Sequence, residues 1–112
     1  MATLPTPWLS PPPAPLTCEI VPDRDVVTVV ALGELDIATV PQLDATLRDL
    51  RDAGFDHLRI DLRELSFIDV AGMLLLRRWR ELARLDVFAL DIDVKDGPVR
   101  RALELAELES VI

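Results

Sequence analysis

The segment VVTVVALGELDIATVPQL, residues 26–43, passes from strand to helix within one short stretch. Val26–Leu32 is almost entirely β-branched, which suits a strand buried on both faces. Gly33-Glu34-Leu35-Asp36 ends it. Pro41 then stands in the first turn of a helix, where its fixed φ is favourable and its missing N–H is harmless. Thr39 precedes it as a plausible cap. Leu43, Leu47 and Leu50, with Gly54 after them, mark the apolar side of that helix. Asp44, Arg48, Asp49, Arg51 and Asp52 take other positions.

The same alternation continues in both directions. Upstream, Thr17–Val21 reads as a strand, and Pro22, Asp23, Arg24 and Asp25 form a turn, giving an antiparallel hairpin with Val26–Leu32. Downstream, Leu58, Arg59, Ile60, Asp61 and Leu62 alternate apolar and polar, the pattern of a half-buried strand. Ser66–Gly72 reads as a loop entering a second helix, which runs from Val70 to about Arg84. Leu75, Leu76, Trp79, Leu82 and Ala83 form its stripe. Val87–Val94 is another strand, with Phe88, Leu90 and Ile92 on one side and Asp91 and Asp93 on the other. Asp96-Gly97-Pro98 opens a third helix with Val99, Ala102, Leu103 and Ala106 inward. Ser110-Val111-Ile112 is too short to assign. The order β-β-α-β-α-β-α predicts an α/β fold: a mixed sheet of about four to five strands with helices packed on one face.

Composition narrows the function. Twelve Lys and Arg against 20 Asp and Glu give a formal net charge of −8. That disfavours nucleic acid, whose binding needs a basic face, and an anionic membrane surface. No run approaches the roughly 18 apolar residues of a membrane span. The N-terminus lacks the basic and continuously apolar regions of a signal peptide, so a cytoplasmic protein without direct membrane insertion is expected. Cys18 is the one cysteine and His57 the one histidine. They allow no internal disulfide, metal spacing or Ser-His-Asp site, and no phosphate-binding glycine motif occurs. No enzyme, cofactor or metal is predicted. Six of the nine prolines fall in residues 1–16, read as an extended tail before a single domain at 17–112. Trp8 and Leu9 interrupt that tail, and docking of the pair on the domain is the alternative to a free tail.

FIDVAGMLLL, residues 67–76, is the remaining puzzle. Asp69 is placed to cap the second helix, and helix N-termini attract anions. Yet Val70, Ala71 and Gly72 supply no hydroxyl or thiol. Met73 and Leu74 follow, and Leu74 lies off the apolar stripe beside Arg77, Arg78 and Glu81. With Val70 and Met73 it would form an apolar patch rimmed by arginines, a composition favoured at interfaces. If both loops lie on one sheet edge, Asp36 and Asp69 come together.

VVTVVALGELDIATVPQL, HLRIDLRELSFIDVAGMLLLRR and VKDGPVRRALELAEL together resemble a STAS domain of the bacterial anti-sigma factor antagonist type. GELD before a proline-started helix and the L-x-F-I-D-x-x-G block are the most specific matches. The resemblance implies a non-enzymatic regulator of sigma-factor-dependent transcription. Its partner would be an anti-sigma factor that is also a kinase, and phosphorylation after the Asp of the block would release that partner. That acceptor position falls on Val70, which has a methyl in place of the hydroxyl. The resemblance therefore implies a partner surface of Asp36, Thr39, Asp69, Val70, Ala71, Met73 and Leu74 without the usual phosphate switch. Ser66 and Thr39 are the nearest substitute hydroxyls. An alternative from the same family is an accessory subunit of a membrane transport ATPase of the lipid-transport type. A ligand-sensing STAS domain has least support, because clustered polar pocket residues are missing. The sequence assigns no oligomeric state.

Overall fold

The computed structural model describes residues 15–112. The proposed docking of Trp8 and Leu9 lies outside the described residues. The strands are β1 (Leu16–Asp23), β2 (Val26–Leu35), β3 (His57–Asp61), β4 (Leu65–Ile68) and β5 (Ala89–Asp93). The helices are α1 (Val40–Asp52), α2 (Val70–Asp86) and α3 (Pro98–Leu105), and a short 3-10 turn spans Glu109–Val111. Among the described residues no helix is long and apolar enough to cross a membrane.

The five strands form one mixed sheet. β1 pairs antiparallel with β2 through a two-residue connection, with Arg24 in the left-handed region at φ 57°. β2 is long enough to serve two parallel neighbours in succession. Val27–Val30 pairs with Leu58–Asp61 of β3, and Gly33–Leu35 pairs with β4. The register shifts between Gly33 and Glu34. Gly33 has φ 110°, and a Cβ there would lie 2.4 Å from the Pro15 carbonyl oxygen. That oxygen accepts from the Glu34 N–H at 2.7 Å. Glycine is thus needed at the irregularity both for its dihedral angle and for the close approach. β5 completes the sheet beside β3.

One core joins sheet and helices. Val27, Val29 and Ala31 of β2, Leu58 and Ile60 of β3, and Leu90 and Ile92 of β5 meet Leu43 and Leu47 of α1, Leu75, Leu76 and Trp79 of α2, and Leu103 of α3. The alternate residues Val26, Thr28, Val30 and Leu32 are only half-buried. The strand expected to be buried on both faces is therefore covered completely on one, because the helices pack on that side. Across the other face Thr28, Arg59 and Asp91 lie in register, and Arg59 also reaches Asp93 diagonally at 3.6 Å.

Several boundaries differ from the sequence expectation. Pro22 and Asp23, read as turn, end β1, and Gly33–Leu35, read as the stop after the second strand, continue β2 because they pair with β4. Ala106, expected inward on the third helix, lies just past the end of α3 and is exposed. Leu65–Ile68, read as loop, is a strand. Its burial runs buried, exposed, exposed, buried, so it carries no period-two signal, and pairing to the end of β2 forms it. Val87 does not begin β5. It ends α2 in the left-handed conformation, φ 53° and ψ 57°, and the following Phe88 N–H returns to the Ala83 carbonyl at 3.1 Å.

An ion-pair cluster fixes α1 to α2. Asp44 accepts from Trp79 Nε1 at 2.8 Å, Arg78 Nη2 at 3.3 Å and Arg48 Nε at 2.8 Å. At the other end of the pair, the Arg51 guanidinium stacks 4.1 Å above the Phe88 ring and donates to the Phe55 carbonyl.

Candidate functional site

β2 and β4 end side by side, so the loops that follow them share one edge of the sheet. The Asp69 N–H donates to the Leu35 carbonyl at 3.1 Å. Asp69 then caps α2: Oδ1 accepts from the Gly72 N–H at 3.0 Å. Its second oxygen, Oδ2, accepts from the Ile37 N–H at 3.1 Å, 32 residues earlier in the chain. One carboxylate therefore caps a helix and ties the two loops together.

Gly72 makes this approach possible. A Cβ there would lie 2.7 Å from the Leu35 carbonyl oxygen and 2.8 Å from Ile68 Cγ1. The first turn of α2 lies against the end of β2 only because this position has no side chain.

Asp36 organises its loop locally. Oδ1 accepts from the Ala38 N–H at 3.0 Å and the Thr39 N–H at 3.1 Å, an Asx-type turn. Thr39 precedes α1, but its side chain caps nothing. The hydroxyl accepts from the Asp36 N–H at 2.9 Å and donates to the Glu34 carbonyl at 2.8 Å. The helix start is set instead by proline in the first turn and by the Thr39 carbonyl, which accepts from the Gln42 N–H at 3.0 Å.

Burial sorts the residues named from the sequence. Thr39 is 3% exposed and Met73 is 6% exposed, so both side chains support the edge from beneath. Their hydroxyl and thioether are inside because the loop closes over Thr39 and the helix turns Met73 toward the core. Val70 is 65% exposed and Leu74 is 42% exposed. Asp36, Asp69 and Ala71 are half-buried. Ile37, absent from the sequence-derived set, is 77% exposed and stands beside Asp69. An isoleucine in a loop otherwise built from turn residues was the signal for it. Phe67 is also exposed, near the end of β4. Ser66 is exposed, and its hydroxyl donates to the Gly33 carbonyl at 2.9 Å.

The edge therefore presents Ile37, Val70 and Leu74 around two carboxylates held by backbone amides. Val70 is the first residue of α2 and carries only methyl groups outward. No group at this position can attack a phosphorus centre.

This fold is that of a STAS domain. The family model described as "Mlab, STAS domain" matches residues 19–112, and the chain belongs to that family. Proteins that it resembles include anti-sigma factor antagonists. The anti-sigma-B factor antagonist of Staphylococcus epidermidis is 33% identical over 58 residues, which make up 52% of this chain and 54% of that protein. The chain thus spans about half the length of the curated relatives it matches. The solved structure of the anti-sigma factor antagonist SpoIIAA in its unphosphorylated form is 30% identical, with a TM-score of 0.64. The match covers 85% of this chain and 83% of that one. An anti-sigma factor antagonist from Mycobacterium paratuberculosis has a TM-score of 0.71 at 21% identity, over 87% of this chain and 82% of its own. At that identity the likeness is one of fold.

Proposed function

We propose that this STAS domain binds an anti-sigma factor of the kinase type through Asp36, Ile37, Asp69, Val70, Ala71 and Leu74, with no phosphate switch at position 70. The observation that carries this reading is Val70 itself, exposed at the head of α2 with a methyl where the family pattern has a hydroxyl. Phosphorylation would bring about −1.5 to −2 charges into such an interface and break it. Without an acceptor, binding is constitutive or controlled elsewhere. Thr39 makes a poor substitute, because its buried hydroxyl already bonds twice to the loop. Ser66 is the exposed alternative.

Mixing the protein with its kinase-type partner and labelled ATP should yield a stable complex and no phosphoprotein. Val70→Thr should restore labelling. Val70→Asp should weaken the complex by several kcal/mol, or more than about a hundredfold, because a carboxylate would be buried without a partner. Stoichiometric labelling of the unaltered protein overturns the reading, and labelling at Ser66 replaces it with a shifted switch.

A second reading places the same edge against the ATPase of a lipid-transport-type membrane complex. The hydroxyl-free Val70 suits it equally, since no acceptor is needed there. Co-purification with an ATPase in place of a sigma-pathway protein would decide for it.

A further inference from the structure

Below Leu74 the outer surface of α2 becomes cationic. Arg77, Arg78, Arg80 and Arg84 lie within one short stretch of the helix, on a chain whose formal net charge is −8. Beside them is a groove of about 640 Å³ between α2 and the C-terminal turn. Leu74, Leu82 and Val111 give it an apolar lining, and Arg77, Arg78 and Glu81 give it polar walls.

The charges in the groove are not equivalent. Arg78 is paired with Asp44 at 3.3 Å, and the Glu81 carboxylate is held by Arg84. Arg80 is committed to structure: its guanidinium donates to the carbonyls of Val111 and Leu90, which fixes the far wall. Among the described residues Arg77 makes no ion pair or side-chain hydrogen bond, and its side chain is exposed. The groove thus offers an apolar floor and one uncommitted guanidinium, and its single carboxylate is already neutralised.

We propose that this groove docks an acidic amphipathic segment of a partner protein, with an aliphatic anchor on Leu74, Leu82 and Val111 and a carboxylate on Arg77. Apolar and cationic residues at helical spacing along one face fit a partner helix with anchors at i and i+4. Charge complementarity selects an acidic one. A polypeptide is favoured over an anionic bilayer because the rest of this acidic chain would be repelled by a lipid surface. Leu74 also belongs to the edge described above, so the groove extends that surface along α2. The proposal stands on the groove alone and does not require the edge partner to be a kinase.

The test uses the full chain, isotope-labelled for NMR, and two acetylated helical peptides of equal length. Each peptide has leucines at i and i+4, flanked by glutamates in one and glutamines in the other. The glutamate peptide should shift the amide signals of Leu74, Arg77 and Val111 and bind about tenfold more tightly than the glutamine peptide. Arg77→Glu should abolish that preference, and this exposed change leaves the core intact. Equal affinity for the two peptides, or shifts away from the groove, overturns the proposal. So does binding restricted to phosphatidylglycerol vesicles, which would assign the groove to lipid. The signals come from the groove's own amides, so failure of the edge interaction leaves this result readable, and the converse also holds.

Discussion

Two sets of aspartates do different work in this molecule. Asp36 and Asp69, at the edge, accept from backbone amides. Asp44, Asp61 and Asp91, in the framework, accept from cationic or ring side chains. Asp44 takes Arg48, Arg78 and Trp79; Asp61 takes Arg63 Nε and Nη2 in addition to that residue's own N–H; Asp91 lies 2.7 Å from His57 Nε2. The contrast explains how the edge keeps its carboxylates ordered without arginines covering them. Backbone donors orient a carboxylate and leave its surroundings open to a partner. Arginine side chains orient it too, but occupy the surface around it.

The largest expected effect comes from Gly72→Ala, which attacks the edge set at its foundation. The added methyl group must displace the Leu35 carbonyl or Ile68, at a cost of about 1–3 kcal/mol in urea denaturation. It should also speed amide exchange at Ile37, because moving the helix start withdraws Asp69 from that N–H.

Asp69→Ala comes next, at about 1–2 kcal/mol, from loss of the cap and of the bond to the other loop. Asp36→Ala should cost about 0.5–1.5 kcal/mol, since its bonds are all within its own turn. Hydrogen exchange separates the two. Asp69→Ala should loosen both loops, whereas Asp36→Ala should loosen only residues 36–39. Equal spreading from the two variants would break the distinction between a bridging and a local carboxylate.

The mildest expectation concerns acid and tests the framework set. The bond from Arg63 holds the Asp61 carboxyl below its usual range against the opposing effect of burial, and the His57 bond does the same for Asp91. Burial of Asp44 opposes its ionisation, but the bonds from Arg48 and Trp79 outweigh it and hold that carboxyl low as well. Folded values below the unfolded value of about 3.9 contribute stability that is complete above that pH and lost as pH falls through the folded values. The urea midpoint should therefore hold steady from neutral pH down to about 5 and fall below about 4. A midpoint unchanged below about 4 would show that these pairs contribute no net stability.

Much of this was legible from residue order. Periodicity located α1, α2, β2, β3 and β5 because each buries a face at its own spacing: Leu43, Leu47 and Leu50 on a helix, Leu90 and Ile92 on a strand. Proline and aspartate marked the helix starts, and the cap by Asp69 is as its position suggested. β4 was not legible, since Leu65–Ile68 is short and lacks alternation; its partner strand is 30 residues away in sequence.

At the edge, the sequence by itself determined that position 70 has no hydroxyl and that two acidic loops flank it. Residue identity settles both. Only the tertiary structure decided which of those residues face outward. Thr39 and Val70 are alike in shape and both stand at helix entrances, yet one is sealed and the other open. Thr39 is sealed by its own loop folding back onto Glu34 and Asp36. Val70 is open because Gly72 and Asp69 draw the helix start against β2 and turn its first residue away. Exposure belongs to how elements meet, and neither residue's neighbours in sequence encode that meeting.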